Sequence, residues 1–230
     1  MPRRGVAGGT PVKVILFGTK QLASLAWYCL RNDTSHEIVG FTVDRAYRAL
    51  DALHDLPVVD FESVEEQFPP SSHHLLVSLG ASEMNNLRRR KYLEGKAKGY
   101  AFISYVSSRA ITWPDLAIGE NCMIFEGTTV QPFATIGDNV IVRSGCHISH
   151  HTVVEDHCFL APRACIAGGT RIGERTFLGA NSTVRDGISI GRGCLIGAGA
   201  CVTADTAEDG IYTGVPARRS KRTASSLGTP

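Results

Sequence analysis

The chain is short of several things, and each absence narrows what it can be. Nowhere in its 230 residues is there an apolar run near the roughly 18 residues of a membrane span. The opening Met1-Pro2-Arg3-Arg4-Gly5 is not followed by an apolar stretch, so neither a signal peptide nor a twin-arginine signal is expected. The seven cysteines include no CxxC pair, and their odd number argues for reduced thiols and a cytoplasmic setting. No basic stripe is interleaved with aromatics, and a net charge of +2 gives no reason to expect a nucleic-acid partner. The positive excess lies in Arg3-Arg4 and in Arg218-Arg219-Ser220-Lys221-Arg222, which read as solvated, mobile ends. Aromatics make up only 7% of residues against 24 glycines, a balance that suits many tight turns around small and β-branched residues.

What the sequence does have is a repeat. Stepping by six from Ile118 through Ile124, Val130 and Ile136 as far as Val202, every position is Ile, Val or Leu. A helix would need spacings of 3 and 4 and a plain strand a spacing of 2. A period of six fits the hexapeptide β-helix. Two residues before each aliphatic stands a mostly small residue, among them Cys122, Cys146, Cys158 and Cys194, thiols expected to pack as small hydrophobes. Gly119, Gly137, Gly173 and Gly191 recur at multiples of 18, with Glu155 the exception, so three hexads make one turn. Glycine is expected there to supply a positive φ. Fifteen hexads then build five turns of a triangular prism whose core is a ladder of stacked aliphatics.

Residues 12–106 read differently. Val12–Phe17, Glu37–Val43, Leu75–Leu79 and Ala101–Val106 read as strands, and Leu22–Leu30 and Glu83–Lys98 as helices. Strands alternating with helices argue a small, Rossmann-like parallel-sheet α/β domain. Ligands of such sheets sit beyond the carboxyl ends of the strands, which nominates Gly18, Thr19, Lys20, Gln21, Asp44, Arg45 and Gly80. The organisation expected is an α/β domain over 12–106, a connector through Pro114-Asp115, and a β-helix over 116–205 with its C-terminal segment reaching 218.

The repeat closes on Gly214-Val215-Pro216-Ala217-Arg218. With that ending, the segment from Leu116 to Arg218 resembles the left-handed β-helix acyltransferases, whose closing signature is G-V-P-A-[KR]. An α/β domain ahead of the prism is similar to one subgroup, the sialic acid O-acetyltransferases and the bacillosamine and perosamine N-acetyltransferases. The resemblance implies a homotrimer transferring acetyl from acetyl-CoA to an amino or hydroxyl group of a sugar, with the α/β domain holding a nucleotide-linked acceptor. It implies a histidine general base and direct transfer without an acyl-enzyme. Laid on this chain, the subgroup's base falls on His150, within a run that also holds His147, His151 and His157. Where relatives carry Asp or Glu after the base, this chain has His151, leaving Glu126, Glu155 or Asp156 as the candidate carboxylates to orient His150, from this chain or a neighbouring subunit. His147 and His151 are the competing assignments for the base. The resemblance also implies that Gly168 and Gly169, with Gly197-Ala198-Gly199 and Arg218, line a cofactor groove between adjacent prisms, and that Arg218 or Lys221 meets the CoA phosphates. Relatives' glycine-rich turn after the first strand is reduced to Gly18, so Lys20 and Arg45 are expected to meet a diphosphate by charge.

Two other functions suit the same repeat. A γ-type carbonic anhydrase needs three histidines converging on zinc, whereas no histidine lies 18 residues from His151 or His157, and no metal is expected. A binding protein that kept the helix without catalysis is the other alternative.

Overall fold

The computed structural model describes residues 10–228, so the basic pair Arg3-Arg4 lies outside the described residues. Strand β1 (Lys13–Phe17) is buried from Val14 to Phe17, as a central parallel strand covered on both faces must be. It lies between β2 (Glu37–Val43) and the strand His73–Val77. Helix α1 (Gln21–Asp33) buries Ala23, Ala26 and Leu30, one helical stripe, between this sheet and the second half of the molecule.

Residues 44–72, which carry no clear periodicity, supply the hairpin β3 (Ala52–Leu53) and β4 (Leu56–Asp60) and a one-turn helix α2 (Val64–Gln67). With β5 (His73–Val77) and β6 (Ala101–Phe102), the sheet order is β3-β4-β2-β1-β5-β6. All pairings are parallel except the β3–β4 hairpin.

Two expected elements differ. The second long helix, α3, spans Asn86–Ala97, because Glu83, Met84 and Asn85 take left-handed φ of 54°, 49° and 67°. Docking overrides helix propensity there. Met84 is buried with Ile211 and Ala224, and Asn85 Nδ2 donates to Arg175 O at 3.0 Å. The expected strand Ala101–Val106 forms in two pieces, of which Tyr105–Val106 leaves the sheet and pairs with Met123–Ile124 as the first rung of the prism.

The prism consists of two-residue strands from Ala117–Ile118 to Cys201–Val202, stacked in three parallel sheets. Neighbours in a sheet are 18 residues apart, as in the column Thr129, His147, Cys165, Thr183 and Cys201. From Ile124 onward each repeating aliphatic is at most 4% exposed. The small residues two places earlier are buried beside them, and burial pushes the Cys122 and Cys158 thiols up to about 12 and Cys146 up to about 11. These thiols pack as small hydrophobes.

Glycine has a different use from the one expected. Gly119, Gly137, Gly173 and Gly191 do not carry positive φ. A Cβ on Gly119 would lie 2.7 Å from Asp138 N, and on Gly191 2.6 Å from Glu208 N, so the absent side chain lets adjacent turns approach. Positive φ falls instead three residues after each aliphatic, every sixth position from Asn121 to Gly199.

The α/β domain sits on the prism face formed by the column Met123, Ile141, Phe159, Phe177 and Leu195. Met123, Phe125 and Ile141 are buried there with α1 residues. Arg88 of α3, fully buried, donates to the carbonyls of Gly80, Asn139, His157 and Cys158. Burial pushes its pKa down to about 10, still cationic at neutral pH. Beyond Val202, Gly210–Thr213 adds a further parallel rung, and Arg218–Thr223 pairs antiparallel with it. The basic segment Arg218–Arg222 is therefore an ordered, exposed edge strand rather than a mobile end, because Gly210–Thr213 offers it an unpaired edge.

Candidate active site

Three faces make three edges. The edge between the Thr129–Cys201 column and the Ala117–Ser189 column (117, 135, 153, 171 and 189) lies opposite the face that carries the α/β domain. Its tight corners hold Phe133, His151, Gly169 and Gly187, all with positive φ. Both His150 and His151 are exposed on this edge.

Their geometry is specific. His150 Nδ1 lies 3.1 Å from His151 Nδ1, with the rings at 84°. Only one of the two nitrogens can carry the shared proton. The backbone holds His150 from both sides: its N–H donates to Gln131 Oε1 at 2.9 Å, and its carbonyl accepts from Gly169 N at 2.9 Å. One turn on, Gly168 lies against the imidazole, since a Cβ there would stand 2.6 Å from His150 Cε1. Gly168 N–H has no acceptor among the described residues. His151 packs against Phe133, with ring centroids 4.8 Å apart.

None of the three carboxylates considered as orienters reaches either histidine. Glu126 accepts from Ser144 Oγ at 2.7 Å, Glu155 pairs with Arg171 and accepts from Glu174 N, and Asp156 accepts from Asp138 N. Within one copy, His151 is the hydrogen-bonding partner of His150. His147 lies in the Thr129–Cys201 column, on the strand that leads into this corner. His157 is 6% exposed on another edge and spends Nδ1 on Asn139 at 2.9 Å. Among the described residues no group of three or more His, Cys, Asp or Glu could hold a metal ion.

The residues expected along the cofactor groove lie on two edges of one prism. Gly168 and Gly169 lie beside the histidines, but Ala198 lies on a different edge, because 30 residues is not a multiple of the 18-residue turn. The closing motif packs near Ala198: Cys201 N donates to Gly214 O, Ala217 N donates to Cys201 O, and Arg218 begins the exposed strand. The two sets can face one groove only across a pair of copies.

The α/β residues gather at the carboxyl ends of β1, β2 and β5. Gly18 needs its freedom, with φ 120° and N–H donating to Thr42 O. No side chain caps the N-terminus of α1 at Lys20, and Thr19, Lys20 and Gln21 line an open recess. Asp44 is taken by Lys91 Nζ at 2.7 Å, and Arg45 pairs with Asp60 at 2.8 Å while its backbone N–H donates to Glu62. That leaves Lys20 as the cation at the recess with no ion pair among the described residues. Gly80 offers open space beside it but gives its carbonyl to Arg88.

The missed signals are Gln131, Phe133 and Arg88. Phe133 is marked in the sequence as the one apolar occupant of the positive-φ corners. Gln131 and Arg88 have no local signature, since each acts on a backbone distant in sequence.

Family models agree with this geometry. "Bacterial transferase hexapeptide (six repeats)" matches residues 117–150 and 151–186, and "Hexapeptide repeat of succinyl-transferase" matches 169–204. No curated protein sequence matches the chain significantly. Among solved structures, a histidine-to-alanine variant of GDP-perosamine N-acetyltransferase from Caulobacter crescentus, in complex with CoA and GDP-perosamine, has a TM-score of 0.83 at 25% identity. The match covers 91% of this chain and 97% of that one. The acetyltransferase domain of PglB from Neisseria gonorrhoeae matches with a TM-score of 0.80 at 21% identity, over 91% of this chain and all of that one. WeeI from Acinetobacter baumannii gives the same TM-score and coverage at 19% identity. Residues 117–204 thus carry the transferase hexapeptide repeat, and the fold of the whole chain is similar to that of the left-handed β-helix acyltransferase class. Its match spans both domains, the build of the sugar acetyltransferases in that class.

No helix among the described residues is long and apolar enough to cross a membrane.

Proposed function

We propose that the protein transfers acetyl from acetyl-CoA to an amino or hydroxyl group of a nucleotide-linked sugar, as a homotrimer in the cytoplasm, with His150 as general base. The observation that carries this reading is the packing of His150 on Gly168 at an exposed prism edge, with its Nδ1 tied to His151. The acyl-enzyme route is not needed. His150 Nδ1–H donates to His151 Nδ1, which leaves Nε2 free to accept a proton; His151 then holds its own proton on Nε2. The acceptor nitrogen or oxygen attacks the thioester carbon as Nε2 takes its proton. Gly168 N–H, without an internal acceptor, is suited to the developing oxyanion. The carbon–sulfur bond then breaks, and the thiolate takes the proton back from His150. Products are the acetylated sugar and CoA with a free thiol.

His150 and the recess at Lys20 sit on opposite sides of one prism, so the reading needs copies that bring a neighbour's recess to each edge. The same contact would bring a neighbour's Ala198, Arg218 and Lys221 toward the CoA bound at Gly168 and Gly169. The uncapped N-terminus of α1 and Lys20 supply N–H donors and charge for the acceptor's diphosphate.

Thermal unfolding with acetyl-CoA, then with added GDP-, UDP- and dTDP-linked amino sugars, tests this. Ligands that bind the folded state alone raise the Tm by mass action. Two successive rises are expected. No rise with any CoA ester would contradict the acyltransfer reading, and a rise with acetyl-CoA alone would contradict the nucleotide-sugar acceptor.

A further inference from the structure

The catalytic edge changes character at the two histidines. On the higher-numbered side the corners are Gly169 and Gly187, and a Cβ on Gly187 would meet nothing within 4 Å, so the surface is bare backbone. On the other side stands Phe133, 69% exposed, at φ 64°. Left-handed backbone is unfavourable for a bulky L-residue, and the other corners are filled by Gly, Asn, His and Arg. A phenyl ring held there in water gains nothing for the fold beyond its contact with His151. Strain of this kind gathers where surrounding structure and function require it. Trp113, 53% exposed, sits one turn below, since Ile111 pairs with Thr129 and sets its register against Gln131.

Direct transfer places the acceptor's nucleophile within reach of both the base and the thioester carbon, in space the acyl chain leaves open. With the acyl chain over bare Gly168, the acceptor approaches from the Phe133 side. A sugar ring has a rim of hydroxyls and an apolar face of C–H groups, and an exposed aromatic face beside the base fits that face. We propose that Phe133 is the platform on which the acceptor's sugar ring stacks, setting its nucleophile toward His150. This rests on the acetyl-transfer reading above.

The test is calorimetric titration of the full chain with CoA bound, using GDP-, UDP- and dTDP-linked amino sugars as probes. Phe133→Asn removes the ring at a backbone angle that asparagine tolerates, so folding is kept, and Phe133→Trp keeps an aromatic face. The Kd of the tightest-binding probe is expected to rise about tenfold in Phe133→Asn and to stay within about twofold in Phe133→Trp. CoA affinity and the mass of the assembly stay unchanged. An unchanged Kd in Phe133→Asn overturns this proposal alone. A smaller assembly in that variant also overturns it, because the ring would then be buried against another copy. No probe binding to the wild-type protein overturns the acceptor half of the proposed function and this platform together.

Discussion

At the residue scale, the site depends on what Gly168 lacks. An alanine there would push its Cβ into the His150 ring and not into backbone, so the fold accommodates it while the imidazole moves. Gly168→Ala is expected to keep a Tm within a few degrees of wild type and to lose activity about 100-fold, since a displacement of about 1 Å is enough for that. A steady-state assay alongside a melting curve separates the two effects. On the proposed function His151 acts through its hydrogen bond to His150. His151→Ala is expected to cut kcat about 10–100-fold, the scale seen when a histidine loses its orienting partner. His151→Asp, which restores an acceptor and tolerates the left-handed corner, should recover most of it. The candidate base, His150, is marked in the sequence by the histidine run and by the family resemblance laid over it. Its orienting partner was not settled there, since which side chains turn toward one another at a corner depends on φ and on adjacent turns.

At the scale of elements, the ladder of aliphatics was legible to the residue, because a strict period leaves the chain no other way to bury them. The corners were harder. Positive φ at every sixth residue shows in the sequence only as an enrichment of Gly and Asn, broken by His151, His157, Arg163, Arg175 and Phe133. The left-handed turn at 83–85 was illegible, as its cause is the docking of Met84 and Asn85 on segments about 90 or more residues away. Buried polar rungs tie the halves together: Val77 N donates to Asn121 Oδ1, Asn121 Nδ2 to Asn139 Oδ1, and Asn139 Nδ2 meets His157 Nδ1. Burial, then the charge of Arg88, pushes the His157 pKa down to about 4. Below its unfolded value of about 6.5 the unfolded chain takes up a proton that the folded chain refuses, so stability is complete above that pH. It is lost as pH falls toward 4, by up to about 3 kcal/mol. His157→Asn continues the asparagine ladder and should flatten that part of the Tm-against-pH curve between pH 6.5 and 4.5. His36, lowered by burial and by His74, contributes in the same window and remains. Arg88→Ala leaves several buried carbonyls without a donor and is expected to cost at least about 3 kcal/mol in denaturant unfolding.

At the scale of the molecule, the proposed function gives one copy two half-sites, at His150 and at Lys20, on opposite sides of the prism. The 24.8 kDa chain is expected to scatter light as a particle of three copies. If sites lie between copies, co-refolding a His150→Ala chain with a Lys20→Glu chain should regain activity that neither has alone. In mixed assemblies some edges pair an intact base with a neighbour's intact recess. The two-domain division was visible from the switch in periodicity near residue 110, but how the halves face was not, because orientation is set by Met123, Ile141 and Arg88 acting across the boundary.

The most direct measurement is acetyl transfer from acetyl-CoA to nucleotide-linked amino sugars, followed by mass spectrometry for wild type and His150→Ala. The expected result is an acetylated sugar from the wild type and a rate about 10²–10⁴-fold lower for the variant, with assembly and acetyl-CoA binding unchanged. Near-normal turnover by His150→Ala would contradict the account.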